Sequence, residues 1–299
     1  MDLNGCRGGK FEIWYVKFTD LSSGRHVLFD LMKFKDGDIC RIVFEDGQGG
    51  GCVCEDRFAA GTLRASRESF EVRLGDNRLD REGARGEAGN GPRIECDLSF
   101  EWGSLGFDFN PAIMYKLPLS DMMMASPALD LRVSGTVTVD GVKHHFRDAP
   151  GTQTHYWGRR LYPNWIYLSC NTFEESGRVF EVSAPRLPVL GLRGTAVVRY
   201  QGRVYRMNKL RSVLRDVRIL ADGSQGVWVV EARSGSRRFV FTVTASPGSM
   251  LVTHEAGKRK VLYTGHADCY VSVYRRFGPL WRKAEDLSSK SRCAAEIRI

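Results

Sequence analysis

Short runs of alternating apolar and polar residues recur along the chain at intervals of about 8–12 residues, separated by Gly, Asp, Asn and Ser. Such runs include Phe11–Thr19, Arg25–Leu31, Asp38–Phe44 and Ser69–Leu74. Strands at this spacing are typical of an antiparallel barrel or sandwich. Helical periodicity is confined to two short segments, Leu119–Met124 and Ala284–Lys290, so the pattern predicts an all-β protein and argues against an α/β fold.

A hairpin is predicted over Val133–Asp148, where Asp140-Gly141 separates two alternating segments and suits a type I′ turn. Period two then places the following residues on one face: Val137, Val139, Val142, His144, Phe146 and Asp148. Asp148 is therefore expected to end an inward-facing apolar row. A second hairpin with the same layout is predicted over Ala196–Met207, around Gln201-Gly202.

A strand is predicted to begin near Trp165, and its two faces differ in character. One face carries Ile166, Leu168, Cys170 and Thr172 and is expected to be core. The other carries Trp165, Tyr167, Ser169, Asn171 and Phe173. Aromatic rings mixed with a hydroxyl and an amide suit the wall of a pocket for a hydrophobic ligand, and they suit an interface between domains equally well.

His155 and Trp157 lie two residues apart and project the same way in an extended chain, with Asp148 seven residues before His155. A carboxyl group in apolar surroundings has a raised pKa and can act as an acid, and indole rings stabilise a neighbouring cation. An acid beside such rings predicts carbocation chemistry. A structural histidine and a turn-forming aspartate are the alternative interpretation of the same residues.

The eight cysteines show no C-x-x-C pair and no zinc-finger spacing, so we expect reduced thiols and no metal site. No Walker A, G-x-S-x-G, H-E-x-x-H or dinucleotide motif is present, and no cofactor is expected. The length of 299 residues favours two domains, which we place at 1–155 and 156–299. No signal peptide or apolar membrane segment is found, so a cytoplasmic location is expected.

Charge is unevenly spread over the two halves. Residues 1–155 carry 19 Lys and Arg against 24 Asp and Glu, and residues 156–299 carry 25 against 11, which gives the halves about −5 and +14. A basic half favours peripheral contact with an anionic membrane, although a merely Arg-rich solvated surface explains the excess too. Nucleic-acid-binding motifs are missing, so no nucleic acid partner is expected.

The residues around Trp157 resemble the tocopherol cyclase family, in which an N-W-G, F-P, W-F-W-I-Q-C-N-V-F pattern recurs. The matching positions are Tyr156-Trp157-Gly158, Tyr162-Pro163, Trp165, Cys170-Asn171 and Phe173, with Tyr167 in place of a tryptophan and Ser169 in place of a glutamine. Later segments similar to the family follow in order at Arg186-Leu187-Pro188, Tyr200–Tyr205, Asp268-Cys269-Tyr270 and Ala294–Ile297. Near the start, Phe11–Tyr15 is similar to the family's E-x-W-Y.

This resemblance implies two lipocalin-like (calycin) antiparallel β-barrel or sandwich domains, a group that also includes carotenoid hydratases and fungal Diels–Alder cyclases. It implies cofactor-independent cyclisation, hydration or pericyclic closure of a prenylated or polyene substrate, bound in a pocket at or between the domains. His155-Tyr156-Trp157 is similar to the H-x-W of the hydratases. Their Tyr-x-Asp is not matched, because Phe180-Glu181-Val182 stands in the comparable region.

We therefore expect a cyclase or related enzyme in which Asp148, or in second place Glu12, is the acid. His155, Tyr167 and Asn171 would orient or deprotonate the nucleophile, and Trp14, Trp157 and Trp165 would shield the cation. The substrate would also contact Tyr156, Ser169 and Phe173. Two alternatives remain open, a lipid or isoprenoid carrier on the same scaffold and an adaptor that binds anionic surfaces.

Overall fold

The computed structural model describes residues 5–116, 120–175, 177–187, 190–256 and 259–298. Antiparallel β-strands dominate these ranges, which confirms the predicted all-β class. The helical elements are a 3₁₀ helix at Ala112–Tyr115, a π-helical turn at Ser212–Asp216 and a 3₁₀ turn at Pro247–Ser249. No helix in the described ranges is long and apolar enough to cross a membrane.

The first sheet contains twelve strands in the part of the chain described. They are β1 Phe11–Thr19, β2 His26–Phe34, β3 Gly37–Glu45, β4 Gly51–Phe58, β5 Arg64–Ala65, β6 Glu71–Leu74, β7 Asn77–Asp80, β8 Gly83–Ala88, β9 Ile94–Glu101, β10 Phe107–Asp108, β11 Met122–Val139 and β12 Val142–Gly158. Their order is β4-β3-β2-β1-β12-β11-β9-β8-β7-β6-β5, with β10 beside β11. The first strand therefore pairs with the last, at the middle of the sheet.

The second sheet contains eleven strands within the described residues. They are β13 Trp165–Cys170, β14 Val179–Leu187, β15 Gly191–Leu192, β16 Thr195–Tyr200, β17 Arg203–Met207, β18 Val217–Asp222, β19 Val227–Ser234, β20 Arg237–Thr244, β21 Leu251–Ala256, β22 Arg259–Phe277 and β23 Leu280–Arg298. Their order is β17-β16-β14-β13-β23-β22-β20-β19-β18, with β15 on β14 and β21 on β22.

The chain divides into two compact units that follow these sheets. Unit 1 comprises residues 1–108 and 120–161, and unit 2 comprises residues 109–119 and 162–299. The sequence placed the division between residues 155 and 156, whereas β12 continues to Gly158, paired with β1 on one side and β11 on the other. Each unit has its own apolar core, which contains Trp14, Phe18 and Phe29 in unit 1 and Trp228, Phe239 and Phe241 in unit 2.

Both predicted hairpins are present with the expected turns. Val139 pairs with Val142 across Asp140-Gly141, and both turn residues have positive φ, as a type I′ turn requires. Gln201-Gly202 forms the same kind of turn between β16 and β17. The two predicted helical segments are wrong, because residues from Met122 onward belong to β11 and Ala284–Lys290 belong to β23; residue 119 lies outside the described ranges.

Asp148 does not end an inward-facing row, so that prediction is wrong. A register shift separates the Val133–Ala149 pair from the Gly135–Phe146 pair, so two residues of β12 oppose one residue of β11. Asp148 sits in this β-bulge with φ at 52°, and its backbone N–H donates to Ser134 Oγ at 3.0 Å. The bulge turns its carboxylate outward.

Gly135 lies on β11 next to this bulge and lets strand β9 approach closely. Its φ is 139°, and a Cβ atom built there would lie 2.2 Å from the Asp97 carbonyl oxygen. We expect Gly135→Ala to reduce the free energy of unfolding by about 3 kcal/mol, because the methyl group forces strands β9 and β11 apart. Urea denaturation, read as a lower midpoint at an unchanged slope, measures this effect.

The matched control for this variant is Gly91→Ala. Gly91 has open space around its Cα and no positive φ. Its replacement should change the unfolding free energy by less than about 0.5 kcal/mol. Equal effects of the two variants would contradict the assigned role of Gly135.

Candidate functional site

An aromatic stack lies where β1 begins and β12 ends, in unit 1. Trp14 pairs with His155 across the two strands, and their rings are parallel within 11° at a centroid distance of 4.7 Å. Trp157 lies at the same centroid distance of 4.7 Å from the imidazole, with its ring tilted by 34°. His155 thus contacts both indole rings, and His155 and Trp14 are fully buried.

Glu12 lies on the same face, two residues before Trp14 on β1, and it pairs with Trp157 on β12. Its side chain is fully buried, and its Oε1 accepts hydrogen bonds from the backbone N–H groups of Arg7, at 2.7 Å, and Gly9, at 3.0 Å. The other oxygen, Oε2, is buried without a hydrogen-bond partner among the described residues. A buried carboxylate oxygen without a donor is costly, so Oε2 is an unsatisfied polar atom within this site.

The segment 5–10 holds this end of the sheet in place. Lys10 N–H donates to the Gly158 carbonyl at 2.8 Å, and Cys6 N–H donates to the Ser66 carbonyl at 3.0 Å. Between these two anchors, the Arg7 guanidinium lies over the Trp157 ring, 5.4 Å from its centroid. We call residues 5–10 the N-terminal strap. Burial, together with the charge of nearby Glu12, raises the pKa of the Cys6 thiol in this strap.

Tyr156 faces the opposite side of β12 from His155 and Trp157. Its ring is tilted against Tyr15 at 5.7 Å, with the two hydroxyl oxygens 3.4 Å apart. On this face the Arg41 Nε also donates to the Asp30 carboxylate at 2.6 Å, and Asp30 is fully buried. Tyr156 thus stands apart from the His155 and Trp157 rings, although the sequence grouped all three.

Unit 2 carries a second cluster of buried polar groups, on β13 and β14. The Tyr167 hydroxyl donates to the Glu181 carboxylate, and both side chains are buried. Trp165 Nε1 donates to Glu296, and the Arg298 guanidinium lies over the Trp165 ring at 5.0 Å. Ser169, 4% exposed, faces the same side and pairs with Glu181. The opposite face is core, as predicted, through Ile166, Leu168 and Cys170.

The predicted face of β13 is only partly present. Strand β13 ends at Cys170, so Asn171 and Phe173 do not continue its alternation. Phe173 instead packs in the hydrophobic core of unit 2, which contradicts its predicted place on the polar-aromatic wall. Asn171 is half-buried at the point where the chain leaves the strand.

Asp148, the first choice of acid, lacks the apolar surroundings that the prediction required. Its side chain is 68% exposed and lies 3.8 Å from Arg132 Nη1. Glu12, the second choice, is the carboxyl group that lies beside the aromatic rings. The sequence missed Arg7, Glu181 and Glu296; the signal for Glu181 was a single charged residue within the apolar strand sequence Val179–Ala184.

A polar cleft of about 850 Å³ opens elsewhere on unit 1. It is lined by residues of β8, β9, β11 and β12, among them Arg85, Glu95, Asp97, Lys143 and His145. None of the residues predicted for the hydrophobic site lines this cleft. Its charged lining suits a small polar ligand rather than the hydrophobic ligand that the sequence predicted.

Three cysteines distant in sequence meet in the core of unit 2. The sulfur atoms of Cys170, Cys269 and Cys293 lie within 4.8 Å of one another, and no other group of three or more metal-binding side chains is found in the described ranges. Burial opposes ionisation of Cys170, but hydrogen bonds from the other two thiols lower its pKa. Three sulfurs could supply three of the four ligands of a zinc ion. The spacing of these cysteines gave no sign of the cluster.

Comparison with known proteins supports the fold. Two solved structures match nearly the whole chain: one from Nitrosomonas europaea that bears the provisional name AttH, and kievitone hydratase from Nectria haematococca. The first is 13% identical with a TM-score of 0.60, and covers 98% of this chain and 94% of that one. The second is 11% identical with a TM-score of 0.59, and covers 99% and 90%.

No family model matches this chain, and no curated protein matches it in sequence. The two neighbours are lipocalin-like, so the predicted lipocalin-like fold class is confirmed. At these identities the likeness establishes the fold alone.

The hydrogen bond between Tyr167 and Glu181 should contribute measurably to stability. Tyr167→Phe removes a donor from a fully buried carboxylate, and we expect a loss of about 2 kcal/mol in the free energy of unfolding. Tyr270→Phe is the matched control, because Tyr270 is 45% exposed. Urea denaturation of both variants measures the difference, and equal midpoints would show that the hydroxyl of Tyr167 is not needed.

Proposed function

We propose that this protein is a cofactor-independent enzyme that adds a proton to a carbon–carbon double bond of a prenylated or polyene substrate. The resulting cation is captured by water, which is hydration, or by a hydroxyl group of the same substrate, which is cyclisation. The proposal is supported by the buried carboxyl group of Glu12 beside the Trp14–His155–Trp157 stack. The hydratase named among the structural neighbours agrees with this reaction class by analogy of fold.

Glu12 is the proposed acid because one of its oxygens already accepts two backbone N–H groups while the other has no hydrogen-bond partner among the described residues. The fixed oxygen orients the carboxyl group, and the other oxygen can hold the transferable proton. When that proton moves to the alkene carbon, a carboxylate remains and the substrate becomes a cation. The two fixed backbone donors stabilise the new negative charge.

The aromatic rings have the complementary role. The π-faces of Trp14 and Trp157 attract a cation, by about 0.5–2 kcal/mol for each ring. His155, which contacts both rings, is the proposed base that takes the proton from the attacking water or hydroxyl oxygen. The catalytic cycle is complete when His155 has released this proton and Glu12 has been protonated again.

Replacement of Glu12 tests this assignment. We expect Glu12→Gln to lower turnover of a prenylated phenol or polyene by at least about a thousandfold, because the amide retains an acceptor but cannot protonate an alkene. Reactions run in deuterium oxide, with mass spectrometry of the product, report incorporation of one deuterium at carbon. Substrate binding, measured by quenching of tryptophan fluorescence, should remain within a few-fold of the native protein.

Asp148→Asn is the discriminating variant, because the sequence favoured Asp148 and the structure favours Glu12. If Asp148→Asn abolishes turnover and Glu12→Gln does not, the proposed acid is wrong. If the native protein binds such ligands and returns all of them unchanged, with no deuterium at carbon, the protein is a carrier and the proposed chemistry is wrong.

A further inference from the structure

The hairpin between β22 and β23 ends in an exposed tip that is both apolar and basic. Two residues, Gly278-Pro279, connect Phe277 to Leu280, and Gly278 has φ at 57°, as the first central residue of a type II′ turn does. Phe277 is 49% exposed and Leu280 is 63% exposed. We call residues 274–283 the hairpin tip.

Positive charge surrounds the apolar residues of the hairpin tip. It carries Arg275, Arg276, Arg282 and Lys283 and no acidic residue. The three arginines form no ion pair with any acidic side chain in the described ranges, whereas Lys283 pairs with Asp286. The guanidinium groups of Arg275 and Arg282 lie over the Phe277 ring, at 5.4 and 5.3 Å.

Both faces of the hairpin tip share this composition. Cross-strand pairing puts Phe277 and Leu280 on one face, together with Arg275 and Arg282. It puts Arg276 and Trp281 on the other, followed by Tyr274 and Lys283. A hairpin in which only one face contacted a partner would carry its apolar residues on that face alone. This hairpin tip instead carries apolar side chains on both faces, with Phe277 and Leu280 exposed on one and Tyr274 and Trp281 half-buried on the other.

Neighbouring hairpins of unit 2 extend the positive surface. Arg237 pairs with Arg275, so the turn between β19 and β20 lies beside the hairpin tip. The Arg237 guanidinium lies 5.7 Å from the Tyr200 ring centroid, next to the turn between β16 and β17, where Arg203 is exposed. Several hairpin turns of one sheet thus bring arginine side chains to a single end of unit 2.

We propose that the hairpin tip inserts into the headgroup region of an anionic lipid membrane, with Phe277, Leu280 and Trp281 among the lipid chains and the arginines on the phosphates. Aromatic rings flanked by Arg and Lys are the side chains that favour the membrane–water boundary. Protein and nucleic acid partners fit less well. A protein groove would select one apolar face, and nucleic acid would contact the arginines while leaving Leu280 in water. This surface function is independent of the proposed catalysis.

Co-flotation of the full-length protein with vesicles tests the proposal. We expect binding to phosphatidylcholine vesicles that contain about a quarter phosphatidylserine, and weak binding to phosphatidylcholine alone. Raising the salt from about 0.1 to 0.5 M should weaken the binding to anionic vesicles. The Leu280→Ser variant should bind about tenfold more weakly, because its side chain no longer enters the lipid.

Two double variants of the hairpin tip test whether vesicle binding requires positive charge or the arginine side chain itself. Arg275→Gln with Arg282→Gln should reduce vesicle binding on the order of twentyfold, and Arg275→Lys with Arg282→Lys should restore most of it. Matched controls come from unit 1. Val142 is an apolar residue, 60% exposed, that also follows a two-residue turn but is not surrounded by arginines, and Val142→Ser should leave vesicle binding unchanged. Arg147→Gln removes an exposed positive charge and should leave vesicle binding unchanged as well.

Three results would overturn the proposal. The first is equal binding of the native protein and Leu280→Ser to anionic vesicles. The second is no binding of the native protein to any vesicle. The third is binding to an oligonucleotide that is tighter than to vesicles and insensitive to Leu280→Ser. All variants lie at exposed positions, so an unchanged circular dichroism spectrum and melting temperature should accompany each of them.

Discussion

The antiparallel pairing of β1 with β12 determines where each group of the candidate site lies. Because side chains alternate along both strands, one register places Glu12, Trp14, His155 and Trp157 on a shared face and puts Tyr15 and Tyr156 on the opposite face. A slip of one residue between the two strands would turn Glu12 and Trp14 away from His155 and Trp157, toward the face that carries Tyr156. The backbone hydrogen bonds to Glu12 depend on the same register, since the N-terminal strap is attached to Gly158 at the end of β12.

Much of the fold follows from local patterns in the sequence. Alternation and turn residues predicted the all-β class, both two-residue hairpins and the core face of β13. The errors arose where an irregularity interrupts the alternation. The β-bulge at Asp148 reverses the outward and inward sides, and the end of β13 at Cys170 sends Phe173 into the core. Period-two reasoning assumes an unbroken strand, and a single inserted residue defeats it.

The candidate site could be predicted only in part, because many of its contacts join residues on different strands. His155 and Trp157 are close in sequence, and their common direction could be anticipated from two-residue spacing. Their contact with Trp14 joins two strands more than a hundred residues apart in sequence. Tyr167 and Glu181 lie on the neighbouring strands β13 and β14, and the three thiols of unit 2 come from β13, β22 and β23. Only the order of strands in each sheet brings these groups together, and that order depends on many long-range contacts rather than on any local motif.

In each sheet an early strand pairs with a late one, which bears on how the chain can fold as it is synthesised. Strand β1 can pair only after β12 has been synthesised, so the central ladder of unit 1 closes late in the synthesis of that unit. Strand β13 can pair with β23 only after β23 has been synthesised, so unit 2 keeps an unpaired edge until then. During that interval the buried face of β13 is exposed to other nascent chains. Unit 2 should therefore be the half that depends on chaperones and that loses its structure when strand β23 is removed.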